Sequence, residues 1–116
     1  VTDKAAEKKQ LPMPDITQAL AGIDANTPVI LLQHRPEPVP VAQRPGVVLQ
    51  LSGHTHGGHI VGLNQIVKLA NGGLVSGLYQ VEGMQVYVGP GTGLWAGFPI
   101  RIGVPSEITQ ITLRAG

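Results

Sequence analysis

In the segment Val47-Val-Leu-Gln-Leu-Ser-Gly-His-Thr-His-Gly-Gly-His59, an apolar run of strand length passes directly into a turn rich in glycine and histidine. Val47 to Leu51 has the length and the continuous apolar character of a buried strand. Gly53, Gly57 and Gly58 would let the main chain turn sharply and approach a ligand closely. The pattern predicts a buried strand whose carboxyl end carries chemistry.

A second apolar run, Pro28-Val-Ile-Leu-Leu-Gln33, has the same character and ends in a histidine followed by Arg-Pro. Every histidine of the chain therefore follows one of the two runs, His34 the first and His54, His56 and His59 the second. Ligands of parallel sheets gather outside the carboxyl ends of the strands. If the two strands are neighbours, about 5 Å apart, the imidazoles are expected to converge in one crevice.

The spacing of His54 and His56 favours a metal site. Residues two apart on an extended segment point the same way, about 6.5 to 7 Å from each other. That distance suits one ion, or two ions bridged at about 3.5 to 4 Å. Because the chain has no cysteine, any metal must bind imidazole, carboxylate, amide or water. A lone histidine such as His34 is more often a surface or capping residue, so the metal interpretation rests on the whole group.

The composition excludes several classes of protein. Apolar residues make up 42% of the chain and charged residues 13%, which is too apolar and too weakly charged for a disordered segment. The net charge is only +1, and the sequence shows no basic stripe that would neutralise the phosphates of a nucleic acid. No nucleic-acid partner is therefore expected. No apolar run reaches the roughly 18 residues of a membrane span.

Elsewhere the pattern predicts an α/β domain that is rich in strands and has one or two short helices. Residues 1–14 read as a polar loop or linker. Asp15 is a suitable cap for a helix that ends at Ala21. Three further strands are predicted at Leu74 to Val81, Gln85 to Gly89 and Ile108 to Leu113, with a hairpin turn at Glu82-Gly83 and a glycine-rich loop from Gly89 to Gly97.

Two motifs then resemble a known family. His34 at the end of Ile30-Leu-Leu-Gln, and the block Ser52-Gly-His-Thr-His-Gly-Gly58, are similar to the single histidine and the GHxH block of calcineurin-like metallophosphoesterases. The GHTHGG form resembles a bacterial subgroup of that superfamily. Phe98-Pro-Ile-Arg101 and Pro105-Ser-Glu-Ile-Thr109 are similar to downstream elements of the same subgroup, so the resemblance runs from about Asp15 onward.

The resemblance implies that residues 15–116 form the C-terminal half of a four-layer α/β sandwich. It implies two divalent metal ions, of Mn, Fe, Zn or Ni, with His34 and His54 on one ion and His56 on the other. The acidic blocks that complete the family's site are not found in this chain. The expected partner is therefore the N-terminal half of the same domain, and alone the chain is expected to be inactive and to associate with itself.

The resemblance also implies the reaction, in which water activated by two metal ions hydrolyses a phosphodiester or phosphomonoester of a small molecule or lipid. His59 stands where the subgroup commonly has Gln, so it is assigned to the pocket lining rather than to a metal. Arg101 is a candidate phosphate contact, or alternatively the ion-pair partner of Glu107. Trp95 is a candidate wall of the pocket together with Phe98, or a packing residue of the second sheet.

A cupin also carries an HxH motif, but it would need a Glu about four residues further on, where this chain reads Gly57-Gly-His-Ile-Val61. Two other interpretations are open at the level of the residues. His54-Thr-His-Gly-Gly-His59 is similar to the HxHxDH motif of metallo-β-lactamase-like hydrolases, but Gly58 stands where that motif needs Asp. The second alternative is a metal-binding or interaction module without catalysis that retains the histidine cluster. An upstream region carrying the acidic blocks would favour the phosphoesterase over this module.

Overall fold

The computed structural model describes residues 10, 12–95 and 99–114. The elements, in chain order, are α1 Ile16–Leu20, β1 Val29–Leu32, β2 Val47–Ser52, α2 Leu63–Ala70, β3 Gly77–Val81 and β4 Met84–Val88, with short 3-10 turns at Val41–Gln43 and His56–Gly58. The predicted α/β class, rich in strands and with short helices, is confirmed. The predicted polar segment 1–14 lies largely outside the described residues, and its boundary stays a prediction.

The four strands form one mixed sheet in the order β1-β2-β4-β3. β1, β2 and β4 run parallel, and β3 pairs antiparallel with β4. The two apolar strands are therefore neighbours, as the site prediction required. The ladder continues past the strand ends, because Gly53 N donates to His34 O at 3.1 Å and Gly89 N to Ser52 O at 2.8 Å. Three loops thus leave the same edge of the sheet.

β3 and β4 form a tight hairpin. Val81 pairs with Met84, so Glu82 and Gly83 make up the whole loop. Both loop residues have positive φ, 47° and 82°, as a type I′ turn requires. The predicted hairpin is confirmed, although β3 begins at Gly77 rather than at Leu74.

The core lies on one face of this sheet. It is built mostly from Val and Leu side chains, as a chain with 3% aromatic residues must build it. The buried members are Leu31, Val39, Val47, Leu74, Met84, Val86 and Val88. α1 packs against them through Ile16 and Leu20, and Asp15 caps this helix by accepting from Gln18 N at 2.9 Å. The predicted helix and its cap are confirmed.

Helix α2 lies where the sequence analysis places no element. Leu63, Ile66, Val67 and Ala70 recur at helical spacing, but the flanking glycines obscure the pattern. None of its side chains is buried, so the helix presents apolar groups to solvent. Within the described part of the chain, no helix has the length and apolarity to cross a membrane.

The strand predicted at Ile108 to Leu113 is wrong. Residues 104–114 adopt no regular structure, and Ile108 is 90% exposed. The alternating pattern is present, but a strand exists only when a neighbour completes its hydrogen bonds. None of the four described strands pairs with this segment. It is attached instead by one main-chain hydrogen bond, from Glu107 N to Gly91 O at 3.0 Å, and by side chains, because Tyr87 on β4 donates a hydrogen bond to Glu107 and contacts Thr109.

Candidate metal centre

His34 and His54 meet at the carboxyl edge of the sheet. Nε2 of His34 lies 3.0 Å from Nδ1 of His54, and the rings stand nearly perpendicular, with centroids 4.9 Å apart. The two nitrogens are at hydrogen-bond distance, and nitrogens that bind one ion at about 2.1 Å lie similarly close, about 3.0 Å apart at right angles and about 3.4 Å apart at the tetrahedral angle. The pair therefore has the spacing of two neighbouring ligands of a single ion. The expected convergence of His34 with His54 is met.

The turn that carries the other histidines is not extended, which corrects the expectation from spacing. His54, His56 and His59 all have φ in the left-handed region, at 69°, 50° and 60°. Such conformations are uncommon outside glycine, although histidine is one of the residues enriched there. Each costs on the order of 1 to 3 kcal/mol, and such strain concentrates at functional sites. His54 and His56 are therefore directed by a tight turn rather than by strand alternation.

Thr55 and Gly58 hold this turn in place. Thr55 is buried, and its hydroxyl donates to the carbonyl of Val75. Gly58 has a φ of 80°, and a Cβ there would lie 2.5 Å from the Cα of Asn64 at the start of α2. Thr55 is not among the residues predicted for the site, although a small hydroxyl residue between two histidines is a usable signal. The turn is thus fixed between α2 and the loop that precedes β3.

A second group forms around His56. Trp95 stacks on His59 with centroids 4.5 Å apart and 29° between the planes, and His56 lies 5.1 Å from His59 and 6.1 Å from Trp95. His59 is fully buried, and its Nδ1 donates to Ile100 O at 2.8 Å. These contacts put His59 and Trp95 beside His56. Their role as pocket lining stays a prediction, and Phe98 lies outside the described residues.

Arg101 approaches the same turn from the C-terminal side. Within the described residues its guanidinium donates to main-chain carbonyls, among them His56 O at 3.3 Å and Gly93 O at 2.7 Å. Glu107, the alternative partner considered from sequence, instead accepts hydrogen bonds from Thr109 and Tyr87. The phosphate contact expected of Arg101 stays a prediction.

The hydroxyl groups around Glu107 also change its ionisation. The hydrogen bonds from Thr109 and, second, from Tyr87 hold the pKa of Glu107 below its usual range. Burial, followed by the hydrogen bond to Glu107, raises the pKa of Tyr87. The three groups form one small network that attaches the C-terminal segment to β4.

The donor set fits a metal only in part. Imidazole nitrogens suit Zn, Fe, Ni and Mn to differing degrees, and His34 and His54 have the spacing that one ion needs. Among the described residues, however, no three side chains of His, Asp or Glu gather as they would around a single ion. Any ion held here would need further ligands, and the assignment of His56 to a second ion stays a prediction.

Comparison with known proteins places these features in a family. No family model and no solved structure matches the chain. The chain is 43% identical over 115 residues to an uncharacterized metallophosphoesterase of Helicobacter pylori, a match that covers 97% of the chain and 30% of that relative. It is 46% identical over 103 residues to a transmembrane protein with metallophosphoesterase domain of Danio rerio, covering 86% of the chain and 23% of the relative.

A third relative, an uncharacterized metallophosphoesterase of Campylobacter jejuni, is 36% identical over 97% of the chain and 30% of its own length. The chain therefore spans less than a third of the length of these three curated relatives, and it matches their C-terminal part. Together with the histidine pair at the carboxyl edge of the sheet, these matches identify the chain as a member of the calcineurin-like metallophosphoesterase superfamily.

Proposed function

We propose that the protein to which this chain belongs is a metal-dependent phosphoesterase, and that the chain supplies three of its imidazole ligands, His34, His54 and His56. The observation that carries the proposal is the 3.0 Å separation of His34 Nε2 and His54 Nδ1. Because β1 and β2 are parallel neighbours, both nitrogens lie at the same edge of the sheet. The names of the relatives support the same class of reaction.

The chemistry that divalent ions supply when bound is polarisation of a phosphoryl oxygen and a lowered pKa of a water molecule. The residues of this chain bind and orient. His34 and His54 share one ion in the proposal, and His56 serves a second. Trp95 and His59, stacked on each other beside His56, line the pocket next to that imidazole in the proposal.

The acidic ligands are proposed to come from the N-terminal half of the same domain. Imidazoles alone leave the positive charge of two ions uncompensated, which disfavours binding of the second ion. The proposed substrate is a phosphodiester or phosphomonoester on a small molecule or lipid. We propose no nucleic-acid substrate, because the chain carries a net charge of only +1.

The test is an assay of the parent protein with bis-p-nitrophenyl phosphate and p-nitrophenyl phosphate after removal of metal with a chelator. We expect hydrolysis to return on addition of Mn²⁺, and to fall by more than about 100-fold in His54→Ala, since even residues behind the metal ligands cost up to that much. Gln80→Ala, an exposed change on β3, is the control. Hydrolysis that survives both chelation and His54→Ala would contradict the proposal.

The second candidate is a metal-binding or interaction module without catalysis. It is favoured because, in the described part of the chain, no Asp or Glu joins the histidines to complete a group of three side chains that could hold an ion. The same assay separates the two functions, because the module binds Mn²⁺ through His54 without turning over either ester.

A further inference from the structure

Arg101 links three segments of main chain around the histidine turn. Its two terminal nitrogens each donate to more than one carbonyl, and its side chain is partly buried. The acceptors are His56 O at 3.3 Å, Pro90 O at 2.8 Å, Gly91 O at 3.1 Å, Gly93 O at 2.7 Å and Pro105 O at 3.1 Å. A planar guanidinium can serve acceptors on two sides at once, whereas an ammonium is a point charge. The cation therefore gathers carbonyl dipoles that would otherwise repel one another.

One of these carbonyls also fixes the ring of His56. Gly93 O accepts from Arg101 at 2.7 Å and lies 3.1 Å from Nδ1 of His56. A carbonyl oxygen can only accept, so Nδ1 must be the nitrogen that carries the proton. In the neutral ring, Nε2 then keeps its lone pair. Arg101 thus restrains His56 at two points. It donates to the main-chain carbonyl of His56, and it fixes Gly93 O, which accepts the hydrogen bond from the His56 ring.

We propose that Arg101 is a positioning residue, which holds His56 in the Nδ1–H tautomer so that Nε2 is the nitrogen available to a divalent ion. This inference rests on the proposed function, in which His56 is a ligand. Metal-binding histidines commonly donate their other ring N–H to a carbonyl or carboxylate, which fixes tautomer and orientation. Here the carbonyl itself is fixed by a cation eight residues further along the chain. In this role Arg101 acts on the His56 ring through the carbonyl of Gly93.

The first experiment measures the tautomer directly. Long-range ¹H–¹⁵N spectra of the ¹⁵N-histidine-labelled chain, without metal and at a pH where the imidazoles are neutral, distinguish Nδ1–H from Nε2–H. The His56 signals are assigned from their loss in His56→Gln. We expect Nδ1–H for His56, the opposite of the form that predominates in free histidine. An Nε2–H tautomer in the unmodified chain would overturn the proposal without any variant.

The second experiment tests the part played by Arg101. In Arg101→Gln we expect the Nδ1–H preference of His56 to be lost, with both tautomers populated. Arg101→Lys keeps the positive charge but loses the planar guanidinium with its fixed N–H donors. In this variant we expect the Nδ1–H preference of His56 to be retained in part. An unchanged Nδ1–H signal in a folded Arg101→Gln chain would overturn the proposal. If Arg101→Gln does not fold, Arg101→Lys and the unmodified chain still decide it.

Arg44 provides a matched control. It is buried and also donates to main-chain carbonyls, Val39 O at 2.8 Å and Glu82 O at 2.9 Å, at the hairpin rather than at the histidine turn. Arg44→Gln should lower stability and leave the His56 tautomer unchanged. If it altered the tautomer as much as Arg101→Gln does, the effect would be a general loosening and the proposal would fail. Because the tautomer is measured without metal, this experiment can fail while the hydrolysis assay succeeds, and the reverse, so the two proposals are tested separately.

Discussion

At the scale of single residues, the histidine turn combines strained main chain with close packing. His54, His56 and His59 adopt positive φ within six residues, and their conformations persist because Thr55 and Gly58 tie the turn to its surroundings. The sequence predicts that His34 and His54 meet, and the structure confirms it; the metal-binding roles of the histidines stay predictions. It does not predict the left-handed turn, because one of the contacts that impose it, the bond from Thr55 to Val75, joins residues 20 positions apart.

The backbone strain at His54 can be tested by comparing two substitutions that both remove the imidazole. His54→Ala keeps a Cβ at a φ of 69°, whereas His54→Gly does not. We expect the glycine variant to be more stable than the alanine variant by about 1 kcal/mol, the usual order of the left-handed penalty. Chemical denaturation measures the difference. If the His54→Ala variant were as stable as the His54→Gly variant, or more stable, the turn would not be strained at this position.

Gly58 can be tested against a glycine with the same backbone angle. Gly22 and Gly58 both have a φ of 80°, but a Cβ at Gly22 meets nothing within 4 Å, while one at Gly58 meets Asn64 Cα at 2.5 Å. Gly22→Ala should cost about 1 kcal/mol of strain. Gly58→Ala should cost about 1 to 3 kcal/mol more, because the main chain of α2 must move. Equal losses in a denaturation experiment would show that α2 does not pack on the turn.

At the scale of elements, the parallel trio β1, β2 and β4 places three loops at one edge. β1 and β2 are predictable because their apolar runs are continuous, and the hairpin because Glu82-Gly83 suits positive φ. Helix α2 is not predicted, because the glycines that flank it obscure the helical spacing of its apolar residues. The predicted strand Ile108 to Leu113 fails because local alternation cannot supply a neighbour with which to pair.

The attachment of that C-terminal segment should depend on pH. Hydrogen bonds from Thr109 and Tyr87 hold the pKa of Glu107 down in the folded chain, so their stabilisation is present above the usual carboxyl pKa. It is lost as the pH falls through the lowered, folded-state value. The stability difference between the unmodified chain and Glu107→Gln should therefore shrink on acidification, as measured by thermal unfolding at a series of pH values. A difference that stays constant from neutral to acidic pH would contradict this network.

At the scale of the whole molecule, the sheet is covered by its core on one face and leaves apolar side chains exposed elsewhere. Leu32 on the edge strand β1 is 65% exposed and Leu78 on the edge strand β3 is 63% exposed. Exposed edges and apolar side chains favour pairing with another chain or segment. Self-association and docking with the N-terminal half of the domain both stay predictions, and both follow from this surface.

We propose that this chain holds three imidazole ligands of a phosphoesterase site whose acidic ligands lie upstream. The most direct measurement is hydrolysis of bis-p-nitrophenyl phosphate with added Mn²⁺, by the chain alone and then mixed with a separately produced upstream half of the parent protein. We expect negligible turnover by the chain alone, and turnover on mixing that disappears when the chain carries His54→Ala. Substantial turnover by the chain alone, abolished by His54→Ala, would contradict the claim that upstream acidic ligands are required.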